Sequence, residues 1–370
     1  MSTEKEIVVC HILNSLLPSG AETMLVNSSK EWNNCKLHVL ATLKDLGNYA
    51  DAFEQAGYTI HHIYNENFIK QHLQVQKFLR DLKPDVVHIH RESQECYYAL
   101  DARISGIKHV VRTVHNVFSF TGYTRIRRII TRAFSRVLGT KYVGISQSVY
   151  DNENNRFYNK PSALIDNWCD EQKYKYITYH EQLKAQNNLS IDKERMIIVS
   201  VGNCTKVKNH MMILKGLKFL ISQGMTKFCY YHIGSGNDES LEKKYVSEHN
   251  LEEYVKFQGH TDPIKYLKAA NLFIMPSTYE GVGISAMEAM FCGIPCLLTD
   301  VDGLRDFKEL QCDEIYYCNL NQEDFEFKLT DLYNKYFEGR LQHSKRLFDE
   351  AHHKYNVKNS VKKYIELYMK

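Results

Sequence analysis

The stretch from residue 272 to residue 299 constrains the fold more than any other part of the chain. It begins with the short apolar run Leu272–Met275, which predicts a buried strand. A break at Pro276 leads into the glycine-spaced turn 280–283, and a helical pattern then precedes a second apolar run at 295–298. A unit of strand, glycine-rich turn, helix and strand places backbone N–H groups at the edge of a parallel sheet, where they bind phosphate. The stretch therefore predicts an α/β protein with an anion site.

Two carboxylates accompany this predicted anion site, Glu280 in the turn and Glu288 on the helix. They are unfavourable beside phosphate unless they accept hydrogen bonds from hydroxyl groups on either side of it. A sugar nucleotide has that layout, with a ribose on one side of its diphosphate and a sugar on the other. Glu288, about one turn into the helix, is placed to reach a ribose, and Glu280 to reach a hexose. The alternative is a solvated glutamate at a helix N-terminus, which the helix dipole favours.

The segment resembles the signature of the retaining glycosyltransferases of family 4. Their hallmark is two glutamates separated by seven residues, preceded by Pro-Ser and followed by Gly-x-Pro; here Pro-Ser is 276–277 and Gly-x-Pro is 293–295. The resemblance implies the GT-B fold, in which two Rossmann-like, doubly wound domains face an interdomain cleft. It also implies that a sugar moves from a nucleotide sugar to an acceptor with retention at the anomeric carbon.

Further motifs in the first half of the chain match the same family. Gly20-Ala21-Glu22 follows the first predicted strand and matches a Gly-Gly-Ala-Glu motif, with Ser19 in place of its first glycine. His115 ends another predicted strand and matches the histidine of a Thr-x-His-Asn motif. Read alone, the first is a simple strand–helix turn and the second a structural histidine. The resemblance assigns Gly20 to donor binding and His115 to a position near the sugar.

In the second half, the predicted strand 196–201 leads into a loop that carries Asn203 and Lys208. The family has an arginine at the first of these positions and a lysine at the second, and both hold the donor diphosphate. Lys208 is therefore retained, whereas Asn203 removes one cation. The missing positive charge would then have to come from Lys206 or from an arginine elsewhere in the chain. A Gly-x-Gly motif at Gly234 implies close approach of the backbone to the nucleotide.

The resemblance implies three catalytic residues, Glu280, His115 and Lys208. Glu280 would position the donor sugar, and Glu288 would bind the ribose. The full set implied for donor binding is Gly20, Asn203, Lys208, Gly234, Gly281, Gly283, Ile284, Ser285 and Glu288. The resemblance is to the GT-B fold and not to the other main glycosyltransferase fold with its Asp-x-Asp metal site, so we expect neither a metal nor a cofactor.

A basic helix is predicted over residues 124–138, inside a stretch without Asp or Glu between Asp101 and Asp151. Apolar residues follow helical spacing on one face. Another face carries Arg125, Arg128, Arg132 and Arg136. Such a helix favours contact with an anionic membrane surface or a lipid diphosphate. The alternative is a core-packed helix with a solvated cationic face; nucleic acid is disfavoured, since the net charge is only +3 and no nucleic-acid motif is present.

These features predict a saccharide or lipid-linked saccharide as acceptor, in the synthesis of a cell-envelope or capsule polysaccharide. The 370 residues allow two domains. We expect an acceptor domain over 1–170, rejoined by a closing helix at about 357–370, and a nucleotide-sugar domain over 171–356. The polar stretch 171–194 is interpreted as the linker and lead-in between them.

The chain shows neither an apolar run of membrane-spanning length nor an export signal. Its ten cysteines are scattered, which indicates free thiols in a reducing compartment. We therefore expect a cytoplasmic protein, peripheral on the inner face of the membrane. Cys292 and Cys296 would need two further ligands to hold zinc, and His88 and His90, on one strand face, are interpreted as packed histidines more readily than as a metal pair.

The sequence also bears on three other functions. A nicotinamide-dependent oxidoreductase is disfavoured, because no Gly-x-Gly-x-x-Gly motif follows the first strand. A two-domain solute-binding protein would need an export signal. A non-catalytic subunit that binds a sugar nucleotide stays open because of Asn203. Among donors, uridine diphosphate sugars are favoured because they are common in the family.

Overall fold

The computed structural model describes residues 6–192 and 194–370, and in these residues the strands form two parallel sheets. Contacts divide the chain into two units. The first consists of the residues up to Trp168 together with Asn356–Lys370, and the second of Cys169–Tyr355. Each sheet belongs to one unit and is flanked by helices, so the α/β class expected from the sequence is confirmed.

The sheet of the first unit has seven strands within the described residues. They are β1 Ile7–Leu13, β2 Cys35–Ala41, β3 Thr59–His62, β4 Val86–Ile89, β5 His109–Val114, β6 Lys141–Gly144 and β7 Ala163–Leu164. Their order is β3-β2-β1-β4-β5-β6-β7. The order reverses between β1 and β4, and ligands of doubly wound sheets bind at such a reversal.

Helices alternate with these strands along the chain. They are α1 Gly20–Ser28, α2 Ala50–Gln55, α3 Phe68–Leu82, α4 Glu95–Ile104, α5 Gly122–Val137 and α6 Gln147–Asp151. Because helices cover both faces of the sheet, strands β1, β2 and β4 consist largely of buried residues rather than alternating ones.

The sheet of the second unit has six strands in the part of the chain that the structure describes. They are β8 Met196–Val201, β9 Phe228–Ile233, β10 Val255–Phe257, β11 Leu272–Met275, β12 Cys296–Thr299 and β13 Ile315–Cys318. Their order is β10-β9-β8-β11-β12-β13, so the reversal lies between β8 and β11.

The helices of this unit begin before its first strand. They are α7 Tyr179–Asn188, α8 His210–Ser222, α9 Glu239–Glu248, α10 Ile264–Leu267, α11 Ile284–Phe291, α12 Gln322–Phe337 and α13 Lys345–Lys354. Residues 171–194 lead into the second unit as expected, but they are more than a linker, because they contain α7. A capping box of Thr178 and Glu181 starts that helix, and the side-chain amide of Gln182 donates to the Ala270 carbonyl at 2.7 Å.

The last helix, α14 Val357–Met369, packs in the first unit although it ends the chain. Tyr364 and Tyr368 are buried there. The Tyr364 hydroxyl lies 2.9 Å from Thr113 Oγ1, and the Tyr368 hydroxyl lies 2.6 Å from Nδ1 of His88. The closing helix therefore completes the core over strands β4 and β5.

None of the helices in residues 6–192 and 194–370 is both long and apolar enough to cross a membrane. The ten cysteines, all within the described residues, are unpaired, and nine of them are buried. Their side chains are therefore part of the core rather than a disulfide framework.

Candidate functional site

Two predicted site residues meet where the second sheet reverses its strand order. Lys208 follows β8 and Glu280 follows β11, and the carboxyl ends of these neighbouring strands lie at one edge. The Lys208 ammonium donates to Glu280 Oε1 at 2.7 Å. The backbone joins the same two loops, since the Thr278 N–H donates to the Val207 carbonyl at 2.8 Å. The structure thus brings together two residues that lie far apart in the sequence.

This ion pair is only partly exposed, with 25% of the Lys208 side chain and 13% of the Glu280 side chain accessible. A lysine ammonium has three donors, so Lys208 can hold Glu280 and still donate to a phosphate oxygen. Glu280 has two oxygens and can accept from a sugar hydroxyl as well. The pair can therefore bind an anion and a hydroxyl group side by side.

The turn after Glu280 is shaped by glycine. Gly283 has φ +65°, and a Cβ there would lie 2.6 Å from Leu304 Cδ2. It precedes α11, whose first N–H groups have no partner within the helix, as at any helix start. The hydroxyl of Ser285 donates to the Val201 carbonyl at 2.9 Å and ties this helix start to the end of β8. The predicted donor residues Gly281, Gly283, Ile284 and Ser285 therefore follow closely after Glu280, the partner of Lys208.

The backbone of Glu280 is held by the loop that follows β12. Its N–H donates to the Asp302 carbonyl at 3.0 Å. Gly303 has φ +84°, and a Cβ there would lie 2.2 Å from the Glu280 carbonyl oxygen. Only glycine fits both the positive φ and the close approach to the Glu280 carbonyl. The loop therefore positions Glu280 through its main chain.

Glu288 lies on α11 in a desolvated position, and this burial raises its pKa to about 7. The phenol of Tyr174 donates a hydrogen bond to Glu288, and the ammonium of Lys173 opposes the shift, while Asp170 and Asp262 add to it. The sequence did not reveal Tyr174, because it lies in the stretch interpreted as a linker. A carboxyl group with this pKa is divided between its two protonation states near neutral pH.

The glycines of the Gly234 motif approach the protein's own backbone. A Cβ on Gly234 would lie 2.0 Å from the Gly202 carbonyl oxygen, and one on Gly236 would lie 2.4 Å from that of Cys204. The loops after β8 and β9 therefore pack backbone against backbone. Asn203 lies on the exposed side of the first loop, as does Lys206.

In the first unit, Gly20 is the first residue of α1, the helix that follows β1. His115 follows β5, and its Nε2 lies 2.9 Å from Nδ1 of His90. Burial, assisted by the charge of Arg112, lowers the pKa of His115 to about 4, so the ring is neutral at physiological pH. His115 can therefore exchange hydrogen bonds but supplies no positive charge. His88 engages Tyr368 and Thr113 with its two ring nitrogens, which agrees with the interpretation of a packed histidine.

The predicted surface role of the arginines on α5 is wrong for two of the four. Arg132 is fully buried and donates to both carboxylate oxygens of Glu153 at 2.8 Å. Arg128 is 9% exposed, and its guanidinium donates to the Glu92 carbonyl at 2.7 Å. The physical reason is that acidic residues outside the acid-free stretch attract this face inward.

The remaining two arginines of that prediction differ from each other. Arg125 is half-buried and donates to the Arg156 carbonyl at 3.1 Å, whereas Arg136 is exposed. A continuous cationic surface over Arg125, Arg128, Arg132 and Arg136 is therefore not formed.

Because Arg128 and Arg132 turn inward, α5 exposes its apolar side. The exposed fractions are 79% for Tyr123, 57% for Ile126, 62% for Ile130, 43% for Phe134 and 86% for Val137. These residues lie three or four positions apart and so share one face of the helix. We call this set the α5 stripe. Arg127 and Arg136 are exposed beside it.

Comparison with known proteins follows the division into two units. Residues 18–172 match the family described as Glycosyltransferase Family 4, and residues 181–348 match Glycosyl transferases group 1. The chain is 24% identical over 319 residues to the Escherichia coli UDP-Gal:alpha-D-GlcNAc-diphosphoundecaprenol alpha-1,3-galactosyltransferase, with 82% of this chain and 81% of that protein covered. It is 26% identical over 297 residues to the capsular polysaccharide biosynthesis glycosyltransferase CapH of Staphylococcus aureus, covering 76% and 78%.

Among solved structures, that of Anabaena HepE in complex with UDP and glucose has the same fold. The TM-score is 0.81 at 16% identity, and 97% of this chain and 98% of that chain are covered. Taken with the paired parallel sheets and the matches in both units, these similarities show that the chain belongs to glycosyltransferase family 4 and has the GT-B fold.

Proposed function

We propose that this glycosyltransferase moves a sugar from a uridine diphosphate sugar to a lipid-linked saccharide, with retention, in bacterial polysaccharide synthesis. The observation that carries the proposal is the Lys208–Glu280 ion pair at the strand reversal, beside the glycine turn and the start of α11. It combines a cation for phosphate with a carboxylate for hydroxyl groups.

The donor is proposed from the chemistry of these groups. Lys208 and the first N–H groups of α11 bind the diphosphate. The Glu288 carboxylate accepts from the ribose hydroxyls, and Glu280 accepts from the sugar. The uridine base is favoured because HepE is described with UDP and glucose, and the Escherichia coli relative is named for UDP-Gal.

The transfer step is proposed to occur on one face of the sugar. The bond between the anomeric carbon and the diphosphate oxygen breaks, and a bond from that carbon to the acceptor oxygen forms. The proton of the acceptor hydroxyl passes to the departing phosphate oxygen. Lys208 and the amides at the start of α11 stabilise the charge that develops on that phosphate. We expect this step to proceed without a metal ion or cofactor.

The acceptor is proposed to be lipid-linked, and the α5 stripe to lie in the membrane interface. An amphipathic helix buries its apolar face at the boundary of headgroups and acyl chains, and Arg127 and Arg136 would remain among anionic headgroups. The Escherichia coli relative is named for an acceptor on diphosphoundecaprenol. The protein would then work as a peripheral protein on the cytoplasmic side.

Donor binding tests the proposal through thermal unfolding with a panel of uridine, guanosine and adenosine diphosphate sugars. A ligand at about a hundred times its Kd adds roughly 2.7 kcal/mol to the free energy of unfolding. We expect one uridine diphosphate sugar to produce this shift, and Glu280→Gln and Glu288→Gln to reduce it. Glu252→Gln, at an exposed position of the same unit, should leave it unchanged. A panel without any stabilising nucleotide sugar would contradict the proposal.

A second candidate is a non-catalytic subunit that binds a sugar nucleotide for a partner transferase. It is favoured by Asn203, which is exposed in the loop after β8 at the position where the family has an arginine. This candidate predicts donor binding without sugar transfer to any lipid-linked acceptor. Donor hydrolysis or transfer by the purified chain, abolished in Lys208→Met, would exclude it.

A further inference from the structure

In addition to the Lys208–Glu280 pair, the second unit contains a cluster of four side chains of the types that bind metal ions. They are Cys204, His210, His232 and Glu242, and their ligand atoms all lie within 4.8 Å of one another. None is more than 4% exposed. They come from four successive elements: the loop after β8, the first residue of α8, strand β9 and helix α9.

The spacing of these atoms fits a tetrahedral metal. Cys204 Sγ lies 3.2 Å from His232 Nε2, and His210 Nδ1 lies 3.2 Å from Glu242 Oε1. Ligands about 2.0–2.3 Å from a tetrahedral zinc ion are themselves separated by roughly 3.3–3.8 Å. For the four atoms to surround an ion, these two distances need to change by a few tenths of an ångström, and the other separations, all within 4.8 Å, by up to about 1 Å.

The carboxylate of Glu242 provides a second, independent observation. Its Oε2 is buried and has no hydrogen-bond partner among the described residues, and its only ion-pair contact there is with His210. Leaving one oxygen of a buried carboxylate without a hydrogen bond is costly, even though Oε1 contacts His210. A cation within the cluster would satisfy this oxygen.

The surroundings of His232 orient it toward the same point. Its Nδ1 lies 3.0 Å from Ser200 Oγ, which leaves Nε2 directed at Cys204. Metal-binding histidines are commonly held in this way through their other ring nitrogen. The Ser200 hydroxyl is fixed in turn by Tyr230, whose hydroxyl lies 2.6 Å away.

We propose that Cys204, His210, His232 and Glu242 bind a zinc ion as a closed, four-coordinate structural site. The Cys204 thiol loses its proton to solvent on binding. The resulting thiolate and the Glu242 carboxylate balance the two charges of the ion, while both imidazoles stay neutral. A ligand set of sulfur, two nitrogens and oxygen selects zinc over magnesium or calcium. With all four positions occupied by protein, the ion has no open position for a substrate.

The zinc ion would hold in place the loop between β8 and α8, which carries Asn203 and Lys208. Cys204 follows Asn203 in the loop that leads to Lys208, and the ion would fasten that loop to α9. The proposal does not depend on the proposed function, because it concerns the architecture of the second unit and not the transferred sugar. It predicts that metal loss loosens the loop before it affects the sheet.

The test is metal analysis of the full chain after purification, followed by replacement with cobalt. We expect close to one zinc per chain and, with cobalt, a thiolate charge-transfer band together with the intense visible bands of tetrahedral Co²⁺. Cys204→Ser should remove the thiolate band and weaken zinc binding at least about tenfold. Glu242→Gln should weaken binding and keep the band. Cys318→Ser, at another buried cysteine of the same unit, should behave as the unchanged protein.

The result that overturns the proposal is purified protein without zinc that, on titration with Zn²⁺ against a chromophoric competitor, binds it no more tightly than Cys204→Ser does. If Cys204→Ser fails to fold, the cobalt spectrum of the unchanged chain decides alone. Absence of a thiolate-to-cobalt band would then show that the cluster is a hydrogen-bonded group without an ion.

Discussion

The turn and helix that carry Glu280 and Glu288 contrast with helix α5, which carries a row of arginines. In both regions charged residues recur at a spacing that indicates a ligand. In the first region the structure places the charged groups together, with Lys208 bonded to Glu280. In the second it turns Arg128 and Arg132 into the protein and exposes the apolar side.

This difference shows which sequence patterns predict the positions of side chains in the folded protein. A glycine such as Gly283 or Gly303 reports a backbone geometry that only glycine adopts, so its neighbours occupy defined positions. An amphipathic helix has two possible orientations, and the partners opposite each face decide between them. For α5 those partners are Glu92 and Glu153, which lie outside the helix in sequence.

The largest expected effect tests the inward orientation of α5. Arg132→Ala leaves Glu153 without its buried counter-charge, whereas Glu92 keeps Arg112 and Arg128; breaking such a buried pair costs about 3–5 kcal/mol of unfolding free energy. Denaturant unfolding measures the loss. Arg136→Ala, at an exposed arginine of the same helix, should change stability by no more than about 0.5 kcal/mol. Equal losses in the two variants would contradict the orientation described above.

A slightly smaller effect is expected in the glutamate region. Lys208→Met removes the cation that stabilises the departing phosphate, so kcat should fall by about 10²–10³. Stability should fall by less than in Arg132→Ala, because both side chains of this pair keep some contact with solvent. Lys215→Met, on the exposed side of α8, is the matched control and should retain activity. Loss of folding in Lys208→Met, rather than loss of turnover, would show that the ion pair is structural.

The α5 stripe is tested by its affinity for lipid. Ile126→Ser together with Ile130→Ser should weaken binding to vesicles containing anionic lipid at least about tenfold, since each side chain contributes about 1.5 kcal/mol or more when buried. Vesicle co-sedimentation measures the change. Phe327→Ser removes an exposed aromatic residue from the second unit and should have no effect. Unchanged binding in the double variant would remove the membrane part of the proposed function.

The smallest effect is the pH dependence of donor binding. The pKa of Glu288 is raised to about 7, and the ribose hydroxyls need the carboxylate form. Donor affinity should therefore rise up to about tenfold between pH 6 and pH 8, and Glu288→Gln should flatten the profile. Titration calorimetry at both pH values provides the measurement.

The same pKa shift has the opposite consequence for the ligand-free protein. The folded state holds the Glu288 proton more tightly than the unfolded state does, so stability falls as the pH rises from about 4.5 through 7. This contribution is absent in Glu288→Gln. A stability profile that rises over this range because of Glu288 would mean that the carboxyl group is not desolvated.

Much of the second unit could be predicted because its constraints are local. The run Leu272–Met275 forms β11 as expected, and Gly283 is the N-cap residue that precedes α11. Tyr174 could not be predicted, because its contact with Glu288 depends on how the chain enters the second unit. The Cys204 cluster could not be predicted for the same reason. Its four ligands are separated by irregular intervals in the sequence and meet only when β8 and β9 pair.

The sequence by itself determined the alternation of strands and helices, the glycine turns and the family to which the chain belongs. These follow from backbone geometry and from the burial of short apolar runs between nearby residues. Only the tertiary structure decided which side of α5 faces solvent, the desolvation of Glu288 and the convergence of Cys204 with Glu242. Those properties depend on charges and surfaces supplied by distant segments, and their energies are set by burial that no single segment defines.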